Sequence, residues 1–489
     1  MMDRNKVYDF IIIGAGVIGC NIARELARYK TKILVIEKED DVASEISKAN
    51  SGVLHTGIYV PYGSLKAKTN VQGLAKFKRL SQELNFGMVI NEKLVVAMDN
   101  EERKQLVDLY EQGNRNGAKG LRLIDEEEIK RMEPNVNGKY ALHSPFTCII
   151  EPYKFTIALA ENACQNGAKF LFNEAVTGID KLNSTFQVRT SENNIYSSRW
   201  VINCAGVYSD KVSRMVVNTE YEIYPCKGEY YITDKVEGLI QRMIYPVPPA
   251  DGSGLGIHFT PTIEHNMLIG PSADYINERS NTTNTQETMK ILKAETHKYI
   301  PKLANVDFIR NYAGIRPKLI SGKDDKTFAD FVIEENKKVD HFINLIGIES
   351  PGLTSAPAIA DMVIDIIGNK EDLLENETFN PHREEPIRFA TLPPEEQAKL
   401  IEENEEYGIM VCRCETVTQA EIIKTIENPL GVCSLDAIKR RCRSMMGRCQ
   451  GGFCAPRIVE ILMDRYGRKP EEIYKNNKKS NLFFGLIKD

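Results

Sequence analysis

This chain of 489 residues is short of several things that would narrow its class quickly, and each shortage excludes something. Tryptophan occurs once, and no stretch approaches the roughly 18 uninterrupted apolar residues that mark a membrane span. No tract of like charge exceeds a few residues, and 63 Lys plus Arg against 68 Asp plus Glu leaves a formal charge of −5. A nucleic-acid or acidic-membrane binder held by bulk electrostatics is thereby excluded. The sequence has no internal repeat and no low-complexity tract, and its N-terminal segment reads as a strand rather than a signal peptide, so a cytoplasmic protein is expected. At about 150 residues per domain the length suggests roughly three folding units, enough to bury a core without disulfide staples. Cysteine is the exception to this even composition. Of eleven, Cys412, Cys414, Cys433, Cys442, Cys449 and Cys454 fall in the last 78 residues, where even scatter would put about two.

Residues 7 to 13, VYDFIII, form an apolar, β-branched run of the kind buried on both faces of a sheet. A glycine-rich turn follows, then a helical pattern through Ile22, Leu26 and Tyr29, then a second buried run, KILVIE. This is a βαβ unit, and Gly14, Gly16 and Gly19 form G-x-G-x-x-G at its turn. Gly14 would make the tight turn, Gly16 would let the backbone approach a pyrophosphate, and Gly19 would let helix and strand pack closely. Phosphates would sit on the unpaired N–H groups of the helix start. Glu37, at the end of the second strand, can accept hydrogen bonds from ribose hydroxyls. The fingerprint alone leaves FAD and NAD open. Two further buried strands, expected in RWVINCAG (199 to 206) and DHFINLIGIESPG (340 to 352), end in small residues and lean toward one large flavin nucleotide crossing the sheet. A helix starting near Thr354 and Ser355 would aim its positive end at the flavin ring. Segments such as GEYYITD and GLGIHFTPTIEHNMLIGP alternate like antiparallel strands.

The fingerprint, together with KANSGVLHTGIY (48 to 59), NCAGVYSD (203 to 210), YAGIRP (312 to 317) and GIESPGLTSAPAIA (347 to 360), resembles the D-amino-acid-oxidase-like flavoproteins. Within them the chain is similar to FAD-dependent glycerol-3-phosphate dehydrogenases of the anaerobic type, and also to L-2-hydroxyglutarate dehydrogenases. The resemblance implies an α/β fold: a Rossmann-like FAD-binding domain built from discontinuous segments (1–90, 150–218 and 325–378), with an interleaved, mainly antiparallel β substrate domain (91–149 and 219–324). It also implies cofactor contacts at Gly14, Ala15, Gly16, Gly19, Glu37, Lys38, Ser51, Gly52, Val176, Ala205, Gly206, Gly347, Gly352, Leu353 and Thr354. A proline-rich linker (379–400) leads to a C-terminal domain (401–489).

In that domain Cys412 and Cys414 form C-x-C, and Cys449 and Cys454 form C-x-x-x-x-C. Thiolates so closely spaced converge on a metal, and in a cytosolic protein they are unlikely to be disulfides. Structural zinc more often uses C-x-x-C, so the spacing leans toward iron–sulfur while leaving zinc open. The sequence VCRCETVT…IKRRCRSMMGRCQGGFC is similar to the bacterioferritin-associated ferredoxins, which implies a [2Fe–2S] cluster on Cys412, Cys414, Cys449 and Cys454. Cys433 and Cys442 lie outside the pattern and are read as buried hydrophobes.

His55 and His258 are the candidate bases for removing a hydroxyl proton. Arg316 in AGIRP is the candidate anion fork. Lys227 and Tyr230 could line the substrate roof, whereas Lys66 is read as a solvated charge. The expected substrate is a small anionic hydroxy compound: glycerol 3-phosphate by overall organisation, or L-2-hydroxyglutarate by the sequence of the roof. A departure from the glycerol-3-phosphate pattern at GIESPGLTS removes a cation from the phosphate end. Electrons would leave through the cluster to a second flavoprotein subunit or an electron carrier. A non-catalytic FAD/[2Fe–2S] electron-transfer subunit is the reading from another class.

Overall fold

A computed structural model describes residues 7–249, 254–320, 329–384 and 386–484. The domain boundary expected at 324/325 lies outside the described residues.

The buried runs form a parallel sheet in the order Lys169–Leu171, Ile33–Ile36, Val7–Ile13, Ile195–Asn203, Phe342–Ile346. A widely separated stretch of chain supplies each neighbour, because a parallel pair needs a crossover. One face packs against helices Val17–Leu26, Pro152–Gln165 and Gly352–Gly368, with Phe10, Ile12, Val35 and Ile343 fully buried beneath them. The other face buries Tyr8, Ile11, Leu34 and Phe342 near helix Ser209–Val216. Burial on both faces explains the unbroken apolar runs. The first helix is shorter than its pattern suggests and stops before Tyr29. The helix expected near Thr354 begins two residues earlier, after Pro351.

A nine-stranded sheet is interleaved with the first and draws its strands from residues 93–144 and 223–319. All its pairings are antiparallel except that of Lys93–Ala97 with Met243–Pro246. Its longest ladder joins Ile223–Thr233 to Phe308–Leu319, with Gly228 opposite Gly314. A Cβ on Gly314 would stand 2.0 Å from the Ala49 carbonyl oxygen, so glycine lets this strand lie directly on the segment after the fingerprint helix. That close approach accounts for the glycine of AGIRP.

The C-terminal unit has its own core of Val411, Ile422, Ile438, Ile458 and Leu462. It docks on the first sheet's domain through buried arginines. Arg440 and Arg441 reach Asp41 at 3.0 and 2.7 Å, Arg441 also reaches Glu161 at 3.1 Å, and Arg443 reaches Glu151 at 2.7 Å. Burial pushes the Asp41 carboxyl up, but Arg441 and Arg440 more than offset this and hold it below its ordinary range. The stretch read as a linker is strapped to the surface rather than free. Arg24 donates to the Pro381 carbonyl at 3.1 Å, Arg383 pairs with Glu161 at 2.7 Å, and residues Pro394–Glu403 are helical. Among the described residues no helix is long and apolar enough to cross a membrane.

Candidate active site and cysteine centre

The strands Val7–Ile13, Ile195–Asn203 and Phe342–Ile346 lie side by side, Ile13 beside Asn203 and Asn203 beside Asn344, the third running two residues further. Their carboxyl ends open into a cavity of about 1250 Å³ roofed by the second sheet, the usual ligand position in such folds. Gly14 has φ +102°, and a Cβ there would meet the Cys204 carbonyl oxygen at 2.6 Å. A Cβ on Gly19 would stand 2.1 Å from the Gly14 oxygen, which fixes the close helix–strand contact. Gly14, Gly16, Glu37, Lys38, Ser51, Val176, Ala205, Gly206, Gly352 and Leu353 line the cavity. Ala15, Gly19, Gly52, Gly347 and Thr354, also expected to contact the cofactor, are not among the lining residues. Ala15 donates its N–H to Glu37 Oε2 at 2.7 Å, and burial raises the Glu37 carboxyl despite that bond. The Thr354 hydroxyl accepts the His55 N–H at 2.9 Å, tying the segment over the cavity to the first turn of helix Gly352–Gly368.

His55, His258, Tyr230 and Arg316 all face this one cavity. Burial, and then the nearby Lys93 and His258, push the His55 imidazole well below its ordinary value. Burial likewise brings His258 down to about 3. His258 Nε2 lies 3.2 Å from the Leu255 carbonyl, which assigns the proton to Nε2 and leaves Nδ1 as an acceptor. The Tyr230 hydroxyl lies 3.2 Å from Ser51 Oγ, and its ring stacks on Tyr312 at 4.7 Å. Arg316 donates Nη2 to the Ser272 carbonyl, and only a glycine at 228 leaves room for that nitrogen, since a Cβ there would approach it to 2.5 Å.

Lys227 stands elsewhere. The two-residue period of its strand puts Gly228 and Tyr230 on the cavity face and turns Lys227 away, where Nζ meets Glu229 at 2.8 Å and the Thr283 carbonyl at 2.9 Å. Lys66, read as solvated, instead lines the cavity and pairs with Glu349 at 2.9 Å. Burial raises the Glu349 carboxyl, and Lys66 and Lys318 together bring it below its ordinary range. Residue patterns also missed Tyr59 and Asn70, which line the cavity and whose buried side-chain polar atoms have no partner among the described residues. An asparagine inside the helical run 65–84 is the one signal that could have singled out Asn70, because that residue type disfavours helix interiors.

In the C-terminal unit the four expected cysteines come together as two pairs. Cys412 is within hydrogen-bond reach of Cys454, and Cys414 of Cys449. The Cys454 contact brings the Cys412 thiol down to about 6, with backbone N–H groups of Glu415, Met445 and Cys414 adding to the effect against burial. Amides that favour thiolate, and two thiols for each of two metal atoms, fit a [2Fe–2S] centre. Among the described residues no group of three or more His, Cys, Asp or Glu converges as a single metal ion would require. Cys442 Sγ is 3.2 Å from the Ile438 carbonyl, and Cys433 packs at the edge of the tail core near Arg468, so neither joins the four.

A family model described as FAD dependent oxidoreductase (DAO) matches residues 9–366. The chain belongs to this DAO family. A second model, BFD-like [2Fe-2S] binding domain, matches residues 410–464 and contains all four paired cysteines. The glycerol 3-phosphate dehydrogenase of Caloramator mitchellensis is 40% identical over 486 residues, 99% of this chain and 99% of that protein. The mitochondrial L-2-hydroxyglutarate dehydrogenase of Mus musculus is 31% identical, over 72% of this chain and 87% of its own length. Among solved structures, the dithionite-reduced L-alpha-glycerophosphate oxidase of Mycoplasma pneumoniae with FAD bound superposes with a TM-score of 0.71 at 29% identity, covering 78% of this chain and all of that one. This DAO member is an FAD-dependent oxidoreductase with a C-terminal [2Fe–2S] domain.

Proposed function

We propose that the protein is a dehydrogenase that oxidises sn-glycerol 3-phosphate to dihydroxyacetone phosphate and passes the electrons through its C-terminal cluster to a carrier or partner subunit. The observation that supports this best is the 40% identity to a glycerol 3-phosphate dehydrogenase, because it runs through the sheet, the roof and the cysteine tail alike. FAD, held by the fingerprint residues Gly14, Gly16 and Glu37, would supply the hydride acceptor, and a [2Fe–2S] centre on Cys412, Cys414, Cys449 and Cys454 would supply one-electron transfer. The chain's own residues do the rest. The Arg316 guanidinium keeps Nε and Nη1 for the phosphate while Nη2 is fixed on Ser272, so its fork is oriented before the substrate arrives. His55 and His258 are uncharged at neutral pH, and either can take the hydroxyl proton as the hydride leaves. Tyr230, stacked on Tyr312, adds an apolar ring face to the same cavity.

The likeness to L-2-hydroxyglutarate dehydrogenases supports a second reading, in which the same arginine holds a carboxylate. Anaerobic mixing of the holoprotein with each substrate in turn tests both. Rapid flavin bleaching by glycerol 3-phosphate and not by L-2-hydroxyglutarate is expected; the reverse would transfer the assignment, and bleaching by neither would leave the electron-transfer subunit.

A further inference from the structure

Strand Lys93–Ala97 is buried along its whole length, and Lys93 at its start is the least expected residue in it, a lysine with no accessible surface. Its Nζ has no hydrogen-bond partner among the described residues. It stands instead over two aromatic faces, 4.5 Å from the ring centre of Tyr59 and 4.9 Å from that of Tyr245. Both rings line the cavity, and they stack on each other at 6.1 Å. Tyr245 also stacks on His258 at 3.6 Å, and His55 meets Tyr59 and Tyr245 edge-on at 6.3 and 6.4 Å. Lys93 and both candidate bases therefore contact the same pair of rings.

We propose that Lys93 is a positioning residue for the proton-transfer step: from behind Tyr59 and Tyr245 its ammonium keeps His55 and His258 uncharged, and so preserves an acceptor for the substrate's hydroxyl proton. This rests on the reading of the cavity as the place where a secondary alcohol is oxidised.

Among the described residues, every charged group that acts on the three is positive. His55 feels Lys93 and His258; His258 feels Lys93 and Arg316; burial alone moves Lys93. Tyr59 and Tyr245 are held in their neutral phenol form by burial. Burial brings Lys93 down to about 7, whereas both histidines lie below their ordinary value. As pH falls, Lys93 takes up the first proton. Each imidazole must then charge beside an existing buried cation, across a few ångströms of low-dielectric protein. The base thus stays available further into acid than burial alone would allow. The two tyrosine faces partly compensate the lone ammonium by cation–π attraction.

The test uses holoprotein carrying Lys93→Met, which keeps length and apolar bulk, and Lys93→Arg, which keeps charge. Two quantities are followed against pH: single-turnover flavin reduction by glycerol 3-phosphate, and imidazole protonation by NMR of histidine-labelled protein. In Lys93→Met the acid limb of flavin reduction and the titration of a cavity histidine are expected to move to higher pH together, by about one unit or more. Lys93→Arg is expected to restore the wild-type limb. Unmoved histidine titration in Lys93→Met would overturn the proposal, as would a rate lowered equally at every pH, which is the signature of a purely structural lysine. If glycerol 3-phosphate fails to reduce wild-type flavin, the substrate reading falls, and the histidine titration still decides the role of Lys93.

Discussion

Replacing Asp41 by Ala should undock the cluster domain, and the geometry sets the size of the effect. Asp41 has no accessible surface and accepts from Arg440 at 3.0 Å and from Arg441 at 2.7 and 3.1 Å; both guanidiniums are themselves almost completely buried. Without the carboxylate, Arg441 retains Glu161 at 3.1 Å, but among the described residues Arg440 is left with only the Ser44 hydroxyl as hydrogen-bond acceptor, at 3.4 Å. Breaking a buried pair by removing one partner costs about 3–5 kcal/mol, and the remaining Glu161 contact argues for about 3. A loss of that size, concentrated at one interface, should expose residues 386–400 to protease before the flavin domain unfolds. Limited proteolysis followed by mass spectrometry reads this directly. The double variant Asp41→Ala/Arg440→Met removes the stranded charge together with its partner and should recover a large part of the loss, giving a coupling energy of at least about 1 kcal/mol in a double-mutant cycle. Wild-type protease resistance in Asp41→Ala, or strictly additive effects, would refute the view that this buried ionic contact holds the tail in place.

The remaining expectations are briefer. Arg316→Ala should raise KM for glycerol 3-phosphate by about 10- to 100-fold, from loss of a charge-assisted contact of about 1.5–3 kcal/mol, with kcat less affected; an unchanged KM in steady-state assays would move phosphate recognition elsewhere. Cys414→Ser should abolish the S = ½ iron–sulfur EPR signal of reconstituted, reduced protein, and Cys442→Ser should retain it. Gly314→Ala places a methyl 2.0 Å from the Ala49 oxygen, so FAD content after purification should fall and stability drop by about 1–3 kcal/mol, both measurable by absorbance and thermal unfolding. Burial raises the Glu151 carboxyl, but Lys154 and Arg443 bring it down to about 2. Its docking contribution is therefore complete above the ordinary carboxylate range near pH 4 and is lost as pH falls through the lowered value, so the extra protease sensitivity that Glu151→Gln gives the 386–400 segment should be constant from pH 8 to about 5 and vanish only in stronger acid.

Much of this molecule could be read from local pattern. The fingerprint glycines, the buried runs and the C-x-C and C-x-x-x-x-C motifs each announce themselves within a few residues, because turn geometry, two-sided burial and metal ligation constrain neighbours in sequence; that Cys412 meets Cys454 and Cys414 meets Cys449 does not. Tyr230 rather than Tyr231 facing the cavity follows from the same alternation, and that alternation also turns Lys227 away from it. What local pattern misses depends on distant partners. Lys66 is an ordinary helix lysine until Glu349, 283 residues further on, closes on it. Nothing beside Arg440, Arg441 and Arg443 in sequence points to Asp41, Glu161 and Glu151, which receive them. Lys93 is a charged residue in a short strand, and nothing beside it in sequence indicates that it is sealed behind two tyrosines.

The central claim is that one chain both oxidises glycerol 3-phosphate and sends the electrons into its own cluster. Rapid anaerobic mixing with glycerol 3-phosphate, with samples frozen at intervals for EPR, tests it most directly. Bleaching of the flavin followed by growth of the [2Fe–2S] signal is the expected result. A flavin that glycerol 3-phosphate leaves oxidised, or a cluster that stays oxidised while the flavin is fully reduced, would contradict it.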